Sequence, residues 1–407
     1  MKRPLAALLL CLFLALGLAA AYRERTELLD RLDLETRHRL VALTSRFTAR
    51  HPDTADRAAV APRVDNPLGI NTFLEQDVTL EARRRSLEMI REAGYGWIRQ
   101  QFPWSSIEPV SKGGFVDRVM FVDTWAVYDS IVDLARANDL QVIARLDTSP
   151  PWARVGNDWP FTPPDNPGDF GDFVEMVARR YKGRIKHYQI WNEPNLYIEW
   201  GRRPVDPAAY VRLLAVGYER IKKVDPDAVV LAASLSPTVE ESEQALNELQ
   251  YLQRMYDAGA GEYFDVMSVQ AYGLRNGPDD RRLDPGDVNF SRPMLVRELM
   301  VKNADSEKPV WASEVGWNSQ PDSVTAEPTF GRVSDELQAR YTVRALERAR
   351  TEWPWMGVMN LWFFRRPHQD EWDQPFFYFR MVDPDFAPRP VWWAVREYAH
   401  RQGYGPR

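Results

Sequence analysis

The chain has 407 residues, a formal net charge of −6 and five histidines. Its length suits one large α/β domain or two ordinary ones, and its acidic balance gives no reason to expect nucleic acid or an anionic membrane as a partner. Because the histidines are few and scattered, neither a metal site nor another cofactor is expected, and carboxylates are the groups expected to carry any chemistry.

The amino terminus carries the pattern of an export signal. Lys2 and Arg3 precede an apolar run over residues 5–21, and the small residues at its end suit cleavage before Tyr22. The run is also long enough to span a bilayer, so residues 1–21 are predicted to be a cleaved signal peptide or an uncleaved anchor. The first alternative makes the protein secreted or periplasmic, and the second tethers it to the membrane from outside the cytoplasm. The single cysteine, Cys11, lies in this run, so the rest of the chain cannot form a disulfide.

Residues 22–65 are predicted to form a helical spacer and linker. Leu28, Leu32, Leu40, Leu43 and Phe47 recur among Arg and Glu residues, which indicates a helix with a weak apolar face. Ala, Asp and Pro residues follow this helix and are typical of a linker. We expect the segment to act as a stalk in front of the main domain, because its apolar residues do not sustain the heptads of a coiled coil.

From residue 66 to residue 402 the sequence alternates between strand and helix patterns. Strands are predicted over residues 68–71, 96–101, 141–147, 187–192, 229–234, 266–271, 310–314 and 357–363. Helices are predicted over residues 80–93, 124–138, 170–181, 207–224, 242–258, 292–303, 335–350 and 390–400. Eight such pairs predict a single α/β domain, a closed (β/α)8 TIM barrel. An open doubly wound sheet is the alternative, but the sequence has no glycine-rich phosphate turn after an early strand.

In a barrel of this kind the functional side chains gather at the carboxyl ends of the strands. Strand four ends in Trp191-Asn192-Glu193-Pro194, and because proline restricts the residue before it, we expect Glu193 to be extended and pinned at the strand's end. Strand seven ends at Glu314, which supplies a second carboxylate. Polar and aromatic residues also end the other strands, including Arg99, Asp147, Tyr272 and Trp362.

Three stretches carry a resemblance to a known group of enzymes. They are residues 188–196 (YQIWNEPNL), 311–317 (WASEVGW) and 97–109 (WIRQQFPWSSIEP). Together they resemble clan A glycoside hydrolases, and within that clan the sequence looks most similar to family 39 and the related families 5 and 42. The resemblance extends from residue 66 to residue 402, since residues 382–392 also look like the clan's final loop and helix.

The resemblance implies a catalytic pair. Clan members are retaining enzymes, and the matching positions are Glu193 for the acid/base and Glu314 for the nucleophile. Retention uses two carboxyl groups about 5–5.5 Å apart, one attacking the anomeric carbon and one protonating the leaving oxygen. The resemblance thus implies hydrolysis of O-glycosidic bonds by double displacement, without a cofactor.

The resemblance also implies supporting and substrate-binding residues. Arg99 and Tyr272 would hold the nucleophile, Asn192 would contact the sugar 2-hydroxyl, and Trp362 would form a platform under the sugar. Three further tryptophans are candidates for flanking subsites because indole faces suit sugar C–H surfaces: Trp104, Trp152 and Trp317.

The substrate and the activity leave alternatives open. Many clan members place a histidine near the end of strand three or before the strand-six tyrosine, whereas this chain has Asp147 and Gln270 in those stretches. The expected partner is a carbohydrate, and a xylan fragment, a glucan and an exopolysaccharide all fit. A carbohydrate-binding barrel without turnover and a transglycosylase are the alternatives to a hydrolase.

Overall fold

The computed structural model of the protein describes residues 32–61, 64–117, 119 and 121–405. The predicted signal or anchor at residues 1–21 lies outside these residues. None of the helices within them is long and apolar enough to cross a membrane.

Eight parallel strands form the centre of the molecule. They are β1 (Leu68–Thr72), β2 (Trp97–Pro103), β3 (Gln141–Asp147), β4 (His187–Ile190), β5 (Val229–Leu231), β6 (Met267–Tyr272), β7 (Val310–Gly316) and β8 (Met356–Leu361). Neighbouring strands follow the order β5-β4-β3-β2-β1-β8-β7-β6. Parallel bridges from Leu231 to Val266 and from Leu235 to Val269 join β5 to β6. The predicted barrel is therefore confirmed, and its strands agree with the predicted ranges to within a few residues.

Helices cover the outside of this barrel and follow each strand in turn. Helix α1 (Leu34–Thr48) precedes the barrel, and the others are α2 (Leu80–Glu92), α3 (Trp125–Ala137), α4 (Pro167–Tyr181), α5 (Pro207–Val224), α6 (Glu248–Asp257), α7 (Pro293–Lys302), α8 (Asp335–Glu352) and α9 (Pro390–Arg401). Helix α6 is shorter than the predicted range of residues 242–258. Residues 241–246 instead form a bridged turn, and the side chain of Asn247 caps the helix by accepting from Leu249 N–H.

Local signals in the sequence explain where these helices begin. Asp206 and Ser334 accept hydrogen bonds from backbone N–H groups in the first turns of α5 and α8. Proline occupies the first position of α4 and α5, where its missing N–H has no helical partner to lose. These caps set the residue at which each helix begins, and so the point at which the preceding loop ends.

The inside of the barrel changes from apolar to polar along the strands. A separate apolar cluster fills the amino-terminal end and includes Trp97, Ile143, Trp311 and Val358. Because alternate residues of a strand share a face, the next inward positions on β2 and β3 belong to Arg99 and Arg145. The apolar layer closes the bottom of the barrel and leaves the polar layer at its carboxyl end.

Helix α1 lies against the outer surface of the barrel. Glu35 near its start forms an ion pair with Arg340 on α8 at 2.7 Å. Arg50, just after its end, forms an ion pair with Glu298 on α7 at 2.7 Å. The described part of the predicted spacer is thus attached to the barrel at both ends of this helix.

His187 on β4 gives the apolar layer a measurable pH dependence. Its ring lies 4.7 Å from that of Trp97 and 5.4 Å from that of Trp311. Burial, helped by the charge of Lys186, lowers the pKa of His187 to about 3. The unfolded chain takes up this proton near pH 6.5, so the folded state loses stability as the pH falls from there towards 3.

We therefore expect His187→Phe to flatten the acid side of the stability profile. Between pH 7 and pH 4 the wild type should lose about 3 kcal/mol more unfolding free energy than the variant, as measured by urea denaturation. An equal loss in both proteins would contradict the assignment of a neutral, buried His187.

Candidate active site

A β-bulge in strand β7 turns Glu314 into the barrel. Val269 on β6 pairs with Ala312, and the next residue, Gln270, pairs with Glu314, so Ser313 is an extra residue on β7. Ser313 Oγ contacts the inward-facing Gln189 at 3.0 Å. Strict alternation would send the following residue outwards, but the bulge lets Glu314 face inwards as well.

Two donors hold the carboxylate of Glu314. Arg99 Nη1 donates to Oε1 at 3.2 Å, and the hydroxyl of Tyr272 donates to Oε2 at 2.6 Å. Burial, together with the charge of Glu314, raises the pKa of Tyr272 well above its usual range, so this hydroxyl keeps its proton. Both oxygens of Glu314 therefore accept hydrogen bonds in a buried setting, and one of the two donors is a guanidinium.

Arg99 is itself fixed by three further side chains. Its guanidinium donates to Asn71 at 2.8 Å, to Gln189 at 2.7 Å and to Asn192 at 2.9 Å. Burial lowers the pKa of Arg99 to about 10, which still leaves it charged at neutral pH. The acceptors come from strands β1, β4 and β7, so one guanidinium ties together opposite walls of the barrel.

Glu193 lies beyond the end of β4 in a conformation that the sequence did not predict. Its φ is +42°, and Trp191 two residues earlier has a φ of +70°. The expectation of an extended Glu193 is therefore wrong. Glu193 N–H donates to the carbonyl of Ser234 at 2.9 Å, and its carbonyl accepts from Leu196 N–H at 2.9 Å. These tertiary contacts hold a left-handed conformation that costs about 1–3 kcal/mol in isolation.

The electrostatic environment of Glu193 favours its protonated form. Burial, reinforced by the nearby negative charge of Glu314, raises the pKa of Glu193 to about 7. Gln270 donates a hydrogen bond to Glu193 and opposes this rise. Gln270 and Tyr272 lie on the same face of β6, one bonded to each glutamate. Strand β6 thus supplies a donor to each of the two carboxyl groups, from positions two residues apart.

Asn192 and Trp362 lie where the sequence predicted them, at the ends of β4 and β8. Asn192 accepts from Arg99 through its side-chain oxygen, which turns its NH2 group away from that residue. Trp362 follows β8, its backbone N–H donates to the carbonyl of Val315 at 2.8 Å, and the residue remains partly exposed. The ring packs edge-on against Phe73 at 5.6 Å. Trp362 therefore still offers an aromatic face at the rim of the site.

The other three tryptophans use their rings or indole N–H groups in contacts within the protein. Trp104 is fully buried, stacks on Phe173 at 5.5 Å and donates to Glu108 at 2.6 Å. Trp317 is 1% exposed and donates to the carbonyl of Asn276 at 2.8 Å. The prediction of these two as sugar contacts is wrong, because their faces and N–H groups are already used inside the fold. Trp152 is half-buried and donates to the Glu108 carbonyl at 2.8 Å.

A second polar cluster beside Glu193 was only partly anticipated. Asp147 forms an ion pair with Arg145 at 2.8 Å and accepts from Gln101 at 2.7 Å. Burial, followed by the charge of Glu193, raises the pKa of Glu199 well above its usual range. Period-two alternation along β3 could have indicated Arg145, whereas Glu199 lies in an irregular turn with no such signal.

The described residues do not bring metal-ligating side chains together in a group. Within the described ranges, no group of three or more His, Cys, Asp and Glu side chains could hold a metal ion.

Comparison with known proteins finds solved structures that share this fold. No protein-family model matches the chain, and no curated protein matches it significantly in sequence. Solved structures similar to it include a family 39 glycoside hydrolase from the gut symbiont Bacteroides cellulosilyticus WH2, at a TM-score of 0.62 and 21% identity over 84% of this chain. The chain spans 65% of that protein's length.

Two other structures extend this comparison. A monomeric β-xylosidase from Caulobacter crescentus CB15 has a TM-score of 0.57 and 19% identity, covering 84% of this chain and 69% of that one. A GH5_18 protein from Streptomyces cattleya in complex with GlcNAc has a TM-score of 0.61 and 16% identity, covering 86% of this chain and 83% of that one. The predicted resemblance to families 39 and 5 is thus confirmed at the level of the barrel fold.

The contacts of Glu193 predict opposite responses to two substitutions. Glu314→Gln removes a neighbouring negative charge and should lower the pKa of Glu193, whereas Gln270→Leu removes a hydrogen bond and should raise it. NMR titration of carboxyl-labelled glutamate would measure both shifts. Gln141→Leu, at the exposed start of β3 and the opposite end of the barrel, is the matched control. Shifts of the same sign in the two variants would contradict the described site.

Proposed function

We propose that the protein is a retaining glycoside hydrolase that cleaves O-glycosidic bonds in a polysaccharide or oligosaccharide. Glu193 is assigned as the acid/base and Glu314 as the nucleophile. The observation that carries this proposal is the contrast between the two carboxyl groups. Glu314 accepts from Arg99 and Tyr272, while burial and the Glu314 charge raise the pKa of Glu193 to about 7.

In the first half-reaction Glu314 attacks the anomeric carbon while Glu193 protonates the departing glycosidic oxygen. The carbon–oxygen bond to the leaving group breaks, and an ester bond between Glu314 and the sugar forms. Arg99 and Tyr272 keep Glu314 oriented for attack. Asn192 is assigned to the 2-hydroxyl, a contact that strengthens as positive charge develops on the sugar ring.

In the second half-reaction Glu193 takes a proton from a water molecule. The oxygen of that water attacks the anomeric carbon, and the ester bond to Glu314 breaks. Esterification removes the negative charge of Glu314, one of the two causes that raise the pKa of Glu193. Glu193 is therefore protonated and able to donate before the ester forms, and ionised and able to accept a proton afterwards. Two successive displacements leave the anomeric configuration of the product as it was in the substrate.

The fold comparisons support this assignment. The similar structures include a β-xylosidase and proteins of families 39 and 5. In a (β/α)8 barrel the active site lies at the carboxyl ends of the strands, where the two glutamates are found. A binding barrel without turnover has no need for a carboxyl group with a pKa raised to about 7 and a second carboxyl group held by two donors.

Substitution of each glutamate tests the mechanism. Glu193→Ala should lower kcat/KM by about 10²–10⁴-fold, with the smallest loss on aryl glycosides that have good leaving groups. Azide should restore turnover of this variant and give a glycosyl azide of retained configuration, because the ester to Glu314 still forms. With Glu314→Ala, azide should attack directly and give the inverted anomer, as read by NMR.

Several outcomes would decide against the proposal. Wild-type rates in both variants would contradict the assignment of the two glutamates as catalytic residues. Absence of turnover on every polysaccharide and aryl glycoside would favour a binding barrel. Exclusive transfer to an added sugar acceptor, with no hydrolysis, would favour a transglycosylase. Gln141→Leu again serves as the control for an effect on folding alone.

The pH profile provides an independent check. Glu193 must be protonated for the first step, so kcat/KM should fall tenfold per unit on the alkaline side of pH about 7. Glu193→Ala should lose this limb, and Gln270→Leu should move it to higher pH. An alkaline limb that is unchanged in Glu193→Ala would assign it to another group.

A further inference from the structure

Helix α1 attaches to the barrel through a face that includes two hydrogen-bonding side chains, His38 and Ser45. The two ring nitrogens of His38 lie 2.8 Å from the hydroxyl of Tyr341 and 2.8 Å from the carbonyl oxygen of Arg275. Ser45 Oγ accepts from Arg281 N–H at 3.1 Å. His38 and Ser45 are seven residues apart, two helical turns, and therefore lie on the same side of the helix. They are the two residues of α1 that the fold buries.

The opposite face of α1 is apolar and faces solvent. At about 100° per residue, Leu40, Leu43 and Phe47 lie on the side away from His38 and Ser45. Their exposed fractions are 40%, 57% and 84%. We call these three residues the outer stripe. A helix surrounded only by water and protein normally exposes polar residues on its outer face, so an exposed apolar stripe departs from that pattern.

Basic side chains flank the outer stripe along one side. Arg39, which also pairs with Glu35, and Arg46 are exposed and lie between the stripe and the docked face. The net charge of −6 for the whole chain therefore conceals a local basic edge. An apolar stripe bordered by arginines is the pattern of a helix that lies in the interface of an anionic bilayer.

The sequence before α1 places a bilayer within reach. The apolar run at residues 5–21, predicted as a signal or anchor, is separated from Leu34 by residues 22–33. A chain of that length spans at most about 40 Å when fully extended. If the run is retained in a membrane, the start of α1 stays within that distance of the bilayer's edge.

We propose that α1 lies on the surface of an anionic bilayer, with the outer stripe among the lipid acyl chains and the flanking arginines at the phosphates. This surface is separate from the candidate active site and does not depend on the proposed function. Because α1 is tied to α7 and α8 by the Arg50–Glu298 and Arg340–Glu35 ion pairs, it turns that side of the barrel towards the membrane.

A fluorescent label on the outer stripe tests this proposal in the full chain. With Cys11→Ser as the background, Leu43→Cys carries an environment-sensitive dye, and Glu88→Cys on the exposed side of α2 is the matched position. Each protein is reconstituted in vesicles of phosphatidylcholine alone or with phosphatidylglycerol. We expect a blue shift, a severalfold rise in emission and protection from iodide at position 43 in the anionic vesicles, and none at position 88.

A charge substitution provides the second measurement. Phe47→Asp should abolish the blue shift of the dye at position 43, whereas Val78→Asp, at a side chain that is 93% exposed elsewhere, should leave it unchanged. Because both side chains point into solvent, neither change removes packing from the fold. Thermal unfolding of the two variants confirms that they remain folded.

Three results would overturn the proposal. The first is equal iodide quenching at positions 43 and 88 in both kinds of vesicle. The second is protection at position 43 that is independent of phosphatidylglycerol and accompanied by energy transfer between labelled chains, which assigns the stripe to a second copy. The third is lipid-independent protection without energy transfer, which assigns it to the chain's own residues 22–31.

Discussion

The buried guanidinium of Arg99 is the interaction on which the candidate site depends. A charge removed from water is tolerated only when it is paired and its donors find acceptors, and Arg99 reaches Asn71, Gln189, Asn192 and Glu314. These acceptors come from strands that are far apart in the chain. The planar fork of arginine can serve several of them at once, whereas a lysine ammonium presents a single point charge. The positions of the strand ends and of the nucleophile candidate are therefore coupled through one side chain.

The contacts of Arg99 also give the two glutamates different surroundings. The charged donor contacts Glu314, and the second donor to that residue is a tyrosine that keeps its proton. Glu193 receives a hydrogen bond from the neutral amide of Gln270 instead. Burial then acts on Glu193 without a contacting cation to offset it, and the charge of Glu314 adds to the effect. The raised pKa of Glu193 thus follows from its surroundings in the fold, rather than from the residue type.

The barrel and most of the site residues could be predicted from the sequence. The predictions that failed did so for identifiable physical reasons. Alternating strand and helix patterns predicted eight strands and their polar ends, because hydrophobic periodicity is a local property. Whether Trp104 and Trp317 face a substrate or the core depends on tertiary packing, which periodicity does not contain. The inward turn of Glu314 depends on one extra residue in β7 relative to β6, a register property of two strands. Residues Gln189 and Asn71 matter for the same reason, since each is recognisable only through its contact with Arg99.

Three departures from local conformational and burial preferences are informative. Glu193 precedes a proline and yet has a positive φ, and the backbone contacts with Ser234 and Leu196 hold it there. Strand β7 gains an unpaired residue, and the result is a carboxylate aimed into the barrel. Helix α1 buries His38 while exposing Phe47, against the hydrophobic effect. In the first two cases the locally unfavourable choice places a functional group. Applied to α1, the same reasoning requires a surface that makes exposure of Phe47 favourable, and a lipid interface bordered by arginines meets that requirement.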